Sequence, residues 1–471
     1  MHFRVNRSTG YSAAMKILSA RQPRMADAKH VRFKKWLESG QALLHPLTLP
    51  QRELWETSPA PAADVSNHIC CVINVQGLIS PEDCVASLQR VVNRQEVLRL
   101  SILPGKNGPV QLIRARAEPV MRFRDISPRT PAEKIEELAL ETFSEPFDLV
   151  QGPLYRVEVL RRASDDQLMV FAIHHAIADG WTLGVFVQDL CAAYVQQRMS
   201  GPDTLPPVPT SYSAWGATER AFWQSAELEA RLAFWKSRLT GIRRLWSLPE
   251  ESDVVPLPQR LVAQLPAEVG APVRELARRS GATLFSTLLA AFQVTLSRWT
   301  GAEDIVVGTP VANRTRQDVR ETMGYFSGVV PLRGQVERDR PFSEHLRVVH
   351  QSTVDSFANA MPFAELVRAI GERPSPKHNP IFEVRFALQN HPVPDVEIRG
   401  LSLKLRMRST GTPRFDLGCE ITEQGDTLEV VWLFRENLFS QPEIEELGRL
   451  FRTVLKSICR VPERRTAALT S

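Results

Sequence analysis

The stretch HHAIADGWT, His174 to Thr182, places a histidine four residues ahead of an aspartate where the pattern of a strand gives way to that of a helix. Ahead of it, DQLMVFAI (Asp166 to Ile173) ends in a short apolar run with a β-branched tail. That predicts a buried strand, because the run is brief and leads straight into polar residues. Behind it, TLGVFVQDLCAAYVQQ sets Leu183, Phe186, Val187, Leu190 and Tyr194 at helical spacing, with Thr182 placed to cap the helix start. The two histidines therefore fall on a strand-to-helix loop, a place where rigid elements commonly hold reactive groups. Gly180 permits close backbone approach there, or a positive φ.

His175, at the right distance from Asp179, is the candidate for handling the proton of an attacking amine or hydroxyl, since an unperturbed imidazole titrates near ~6.5. An isolated histidine is more often structural; the tandem pair followed by Asp-Gly weighs against that here. His174, facing the other way at the strand end, is expected to be structural. Asp179 has two readings, the orienting acid of a triad or a salt bridge that fixes the loop to an arginine elsewhere. Neighbouring histidines with one aspartate and no third well-spaced ligand make a poor zinc set, so no metal is expected.

The loop resembles the HHxxxDG signature of condensation domains of nonribosomal peptide synthetases, relatives of chloramphenicol acetyltransferase. HxxxDG alone is shared with other acyltransferases, but further segments fall in the family's order. LTLPQRELW (Leu47 to Trp55) is similar to its opening segment, NRQEVLRLSI (Asn93 to Ile102) to its arginine-rich stretch, EPFDLVQGPLYRVEVL (Glu145 to Leu160) to the segment preceding the active-site strand, and YSAW (Tyr212 to Trp215) to the crossover between halves. GATLFSTLLAAFQVTLSRWTGAEDIVVGTPVANR (Gly281 to Arg314), MGYFSGVVPLR, HNPIFEVRF and RFDLGCEI follow, so the resemblance covers roughly residues 45 to 460. Two departures stand out. Gln95 replaces the family's histidine, which argues against assuming standard amino-acyl substrates, and Gly328 stands where an asparagine is customary near the active-site floor.

The resemblance implies an α+β fold of two acetyltransferase-like lobes arranged as a V with an active-site tunnel between them. It makes His175 the active-site histidine and Asp179 the partner of Arg314 in a structural ion pair; from its position after IVVGTPVAN alone, Arg314 reads as a solvated surface residue. A buried carboxylate beside such a loop needs a cationic partner.

At 471 residues the chain exceeds the size at which single cores stop growing, so two lobes are expected. Its 43% hydrophobic and 24% charged content is that of an ordinary globular protein, and no apolar run approaches the ~20 residues that span a bilayer. Cys70, Cys71, Cys84, Cys191, Cys419 and Cys459 lie in apolar or helical contexts without metal spacing and read as buried thiols of a cytoplasmic protein. The net charge of +5 is uneven: residues 1 to 45 carry +7, which leaves the remainder at −2 and argues against a nucleic-acid surface. The expected organisation is a basic leader over 1–44, flexible or partly helical, with Met25 an alternative start; an N-terminal lobe over 45–213; a C-terminal lobe over 214–462; and a tail over 463–471.

Within the lobes, HICCVINVQ predicts a strand. SPEDCVASLQRVV predicts a helix capped by Ser80, with Val85, Leu88 and Val92 on one face. LSLKLRMR alternates, with Leu401, Leu403, Leu405 and Met407 on one face, and is grouped with the second-half strands. Strands and helices are mixed without a strict βαβ rhythm or a glycine-rich phosphate loop, which points to α+β lobes and away from nucleotide use.

By resemblance, the chain joins an acyl thioester, borne on the phosphopantetheine of an acyl or peptidyl carrier protein, to an amine or alcohol that is soluble or carrier-bound. No bound cofactor, nucleic acid or membrane is implied, and a monomer is expected. His175 positions or deprotonates the nucleophile, and the backbone N–H near Gly180 is the candidate oxyanion donor. Carrier, adenylation and thioesterase motifs are missing from the sequence, so action in trans on separate carriers is expected. The rivals are a coenzyme-A-dependent acyltransferase, which should carry DFGWG where this chain has RFDLG at Arg414 to Gly418, an epimerisation domain, and a non-catalytic carrier-recruitment module, a class that tends to lose the histidine pair.

Overall fold

The strand expected from DQLMVFAI runs Asp166–His174 and is apolar on both faces because both faces are covered. Met169, Phe171 and Ile173 point into one core, while Leu168 and Val170 point into a second, smaller cluster with Leu138, Ala139 and Phe143 of helix Ala132–Ser144. Its neighbour His68–Gln76 obeys the same period of two, with Cys71 and Ile73 on the first side and Cys70 on the other. Phe171 stacks on Phe186 of the following helix at 3.7 Å between centroids, tying strand to helix directly behind the histidine loop.

A computed structural model of the protein describes residues 35–57, 65–106, 108–202, 204–247, 259–373, 378–389, 396–398, 401–408 and 415–469. Most of the basic leader, up to residue 34, lies outside these. Helices and sheets are mixed. One six-stranded sheet runs in the order Val396–Ile398, Leu401–Arg408, His68–Gln76, Asp166–His174, Tyr155–Ala163 and Met121–Asp125. A second runs Gly328–Gln335, Asp304–Val311, Val384–Gln389, Leu417–Gln424, Thr427–Phe434 and Gln259–Leu265. A three-stranded sheet of Ala42–Pro46, Val110–Arg114 and Leu100–Leu103 completes the first half. No single helix among the described residues is long and apolar enough to cross a membrane.

Three expectations change. LSLKLRMR pairs antiparallel with His68–Gln76, so it belongs to the first half's sheet although it lies far along the second half of the chain. The reason is burial: Leu401 and Leu403 are each 8% exposed against the first core, and the pairing covers an edge that His68–Gln76 would otherwise leave open. In the helix Pro81–Arg94, capped by Ser80, the buried apolar face is Cys84, Leu88, Val91 and Val92, whereas Val85 is exposed. Of the cysteines, Cys459 is only half-buried.

The second core is built on helix Leu284–Thr300, enclosed by helices Ala267–Arg279, Phe342–Ala358 and Gln441–Arg460. It holds a buried imidazole: His345 has no solvent exposure, and burial, reinforced by Arg340, pushes its pKa down to about 4, opposed in part by the nearby Ala290 backbone. A histidine that stays neutral in the fold but protonates when unfolded destabilises the protein as pH falls from about 6.5 towards 4, and contributes nothing above that window. Denaturant titrations should therefore show about 2 kcal/mol less stability at pH 5 than at pH 7 from this residue. His345→Leu should flatten that part of the profile; an unchanged slope in the variant would show that the imidazole is not held neutral.

Candidate active site

The histidine strand ends at His174, whose backbone is paired opposite His68 and whose side chain is fully buried. Its Nδ1 accepts the Ala176 amide at 3.0 Å and turns the chain into the single 3-10 turn His175–Ile177, while Gln51 donates to the Ala176 carbonyl at 2.9 Å. Ala176, Ile177, Ala178 and Asp179 are all buried. His175 is the one partly exposed residue between His174 and Asp179, and its ring lies 4.4 Å from that of Tyr325, edge to face.

The cap of the next helix, Gly180–Arg198, is Asp179 and not Thr182. Asp179 Oδ1 accepts the Thr182 amide at 3.0 Å and the Thr182 hydroxyl at 2.9 Å. It also accepts Arg314 Nη2 at 3.2 Å, and Oδ2 accepts the Phe326 amide at 3.1 Å. Three donors thus converge on Oδ1 and a fourth holds Oδ2, and all come from the helix start or from Arg314 and Phe326. That arrangement is an anchor rather than a proton relay. Gly180 takes helical backbone as the first residue of the helix, where N–H groups have no intrahelical acceptor.

Arg314 is 5% exposed and sits on the other side of this anchor. Its Nη1 donates to the carbonyls of Val319 at 2.8 Å and Thr322 at 2.6 Å, and its guanidinium lies 3.8 Å from the Phe326 ring centroid. Burial of the ion pair is tolerable because most of the fork is satisfied by carbonyls and the carboxylate at once.

The residues from Val319 to Phe326 thus come from the second half of the chain yet are stapled to the first. Trp181 Nε1 donates to the Arg320 carbonyl at 2.9 Å, Thr322 to the Thr210 carbonyl at 2.6 Å, and Thr182 and Gly324 exchange hydrogen bonds. Val319, Met323, Tyr325 and Phe326 pack into the first core. Gly324 is required here, since a Cβ would come within 2.3 Å of the Tyr212 ring.

Gln95 is part of the same staple. It is 1% exposed, donates to Asp189 at 2.8 Å and to the Glu321 carbonyl at 2.9 Å, and accepts the Met323 amide at 2.9 Å. The glutamine at this position is therefore part of the joint between the halves. Burial pushes the Asp189 carboxyl up, with Gln95 and Arg94 opposing. Gln95→Ala would strand Asp189, Glu321 and Met323 groups; a loss of about 1–3 kcal/mol in denaturant melts is expected. Gly328 offers no side chain, and the Asn313 amide, which donates to the Phe326 carbonyl at 3.0 Å, lies 3.1 Å from where a Cβ would sit.

The sequence reading missed Tyr325, Tyr212, Thr48 and Gln51. The last two stand in LTLPQRELW, a segment noted for its resemblance, but nothing local says that Thr48 hydrogen-bonds Tyr212 at 2.8 Å. Among the described residues, no group of three or more metal-ligating side chains occurs.

Fold and site together define a mixed helix-and-sheet protein with a histidine on a strand-to-helix turn, closed by a loop from the other half of the chain. A family profile described as the condensation domain matches residues 43–471, and the chain belongs to that family. It is 29% identical to a linear gramicidin synthase polypeptide of Brevibacillus parabrevis over 431 residues, which is 89% of this chain but 8% of that protein. It is 30% identical to phosphinothricin tripeptide synthetase PhsC of Streptomyces viridochromogenes over 440 residues, 90% of this chain and 40% of that one. The chain thus spans well under half of these multidomain relatives. In fold it is similar to the condensation domain from Monacolin K polyketide synthase MokA, at a TM-score of 0.78 and 21% identity over 90% of this chain and 99% of that one. The X-domain from teicoplanin biosynthesis matches at 0.78 and 21% as well, over 90% and 96%.

Proposed function

We infer that this chain transfers an acyl group from a carrier-protein phosphopantetheine thioester to an amine or a hydroxyl, in nonribosomal peptide or hybrid polyketide-peptide synthesis. The observation that carries the reading is His175, a partly exposed imidazole held up by a turn whose other residues are buried. In the reaction the nucleophile's nitrogen or oxygen forms a bond to the thioester carbon, the carbon–sulfur bond breaks, and the nucleophile's proton ends on the departing thiol. The thioester supplies the driving force, so the work left to the protein is alignment and proton handling. His175 receives or steers that proton; the Gly180 amide, at the helix N-terminus, supports the carbonyl oxygen. Asp179 and Arg314 hold the loop. On this reading the donor arm and the acceptor meet at the partly exposed face of His175, and the chain works without a bound cofactor of its own.

Intact-mass measurement of an acylated carrier protein, supplied as a separate polypeptide with a panel of amines and alcohols, tests this. Expected is loss of the acyl mass from the carrier with a matching amide or ester product; acyl-coenzyme A as sole donor should give none. Product from acyl-coenzyme A but not from the carrier would replace the reading with a soluble acyltransferase. A second reading rests on one observation: the same fold occurs in an X-domain described in complex with OxyB. A protein-recruiting role predicts no turnover with any donor.

A further inference from the structure

The geometry points to Tyr325 as a positioning residue for the His175 imidazole, delivered to it from the other half of the chain. This rests on the reading of His175 as the reacting histidine. The two rings meet edge to face with centroids 4.4 Å apart and planes at 61°, and Tyr325 is 8% exposed. Such aromatic contacts constrain ring orientation beyond simple burial.

What distinguishes Tyr325 from an ordinary packed aromatic is how its backbone is held. Its carbonyl accepts the Tyr212 hydroxyl at 2.9 Å, and Tyr212 is itself tied to Thr48 at 2.8 Å. Burial pushes the Tyr212 phenol well above its ordinary pKa, so the hydroxyl remains a donor. The next amide, Phe326 N, donates to Asp179 Oδ2 at 3.1 Å, the carboxylate that caps the helix after the histidine loop. One peptide unit is thus gripped at its carbonyl from helix Tyr212–Phe222 and at the following amide from the histidine loop. The same carboxylate therefore sets both the helix start after His175 and the backbone that carries the ring beside it. The imidazole is aimed by a contact that exists only when the two halves are docked.

The test compares Tyr325→Ala, Tyr325→Phe and Tyr212→Phe with wild type in the carrier assay, alongside carbethoxylation of His175 followed by peptide mass spectrometry, which needs no substrate. For Tyr325→Ala, kcat should fall about 10- to 100-fold with KM little changed, and His175 should modify severalfold faster. Tyr325→Phe, which keeps the ring, should restore both values close to wild type. Tyr212→Phe frees only the carbonyl anchor and should lower kcat by a smaller factor; it reports on the same contact if Tyr325→Ala fails to fold. Wild-type kcat and modification rate in Tyr325→Ala, or in Tyr212→Phe where alanine does not fold, would overturn the assignment. A His175→Ala variant that turns over normally would instead overturn the reading beneath it.

Discussion

His175→Ala lowers the rate of acyl transfer about 10²–10⁴-fold, the range ascribed to a positioned acid–base group, while costing under about 1.5 kcal/mol of stability, the range of a single aromatic contact. The ring is partly exposed and packs against Tyr325, so its removal opens no sealed cavity. His174→Ala is expected to behave oppositely. That ring is fully buried, accepts the Ala176 amide and lies 5.8 Å from His68. Its loss should cost about 1–3 kcal/mol by leaving a buried amide without its acceptor, with activity falling only as far as the turn loosens. Intact-mass turnover and thermal melts of the two variants separate the roles; equal turnover in His175→Ala and wild type removes the imidazole from the chemistry.

Arg314→Ala should be among the most destabilising single substitutions in the chain, at about 3–5 kcal/mol, because it leaves the Asp179 carboxylate buried without a counter-ion. Asp179 and Arg314 side chains are 3% and 1% exposed, so neither is rescued by water. The same substitution frees the carbonyls of Val319 and Thr322 and uncovers the Phe326 ring. Activity should fall with stability, since the Val319 to Phe326 segment carries Tyr325 to His175. Arg314→Lys retains the charge but not the fork, and should lie between alanine and wild type. If Arg314→Ala melts at the wild-type temperature, the ion pair does not secure the two halves.

Much of this was legible in the sequence. DQLMVFAI and HICCVINVQ announced strands by a short apolar run and β-branched content, and the helix from Gly180 followed from Leu183, Phe186, Val187, Leu190 and Tyr194, all of which are buried. These are local signals, in which neighbouring residues share one element and its period. The cap of that helix was misplaced by three residues because Asp179 and Thr182 are both good capping types. The choice between them depends on Arg314 and Phe326, which bind the carboxylate from far along the chain. Gln95 illustrates the same limit: nothing local says that its three hydrogen bonds go to Asp189, Glu321 and Met323.

By itself the sequence determined the strand, turn and helix that present His175, and the segment order that marks the family, since periodicity and short motifs are properties of contiguous residues. Tertiary structure alone decided that Leu401–Arg408 closes the first half's sheet and that Asp179, already paired with Arg314 by the family resemblance, also caps the helix in place of Thr182. It alone decided, too, that Tyr325 reaches the imidazole. Those outcomes come from burying apolar faces and buried charges against partners a hundred or more residues away, and no local pattern encodes which partner will be there.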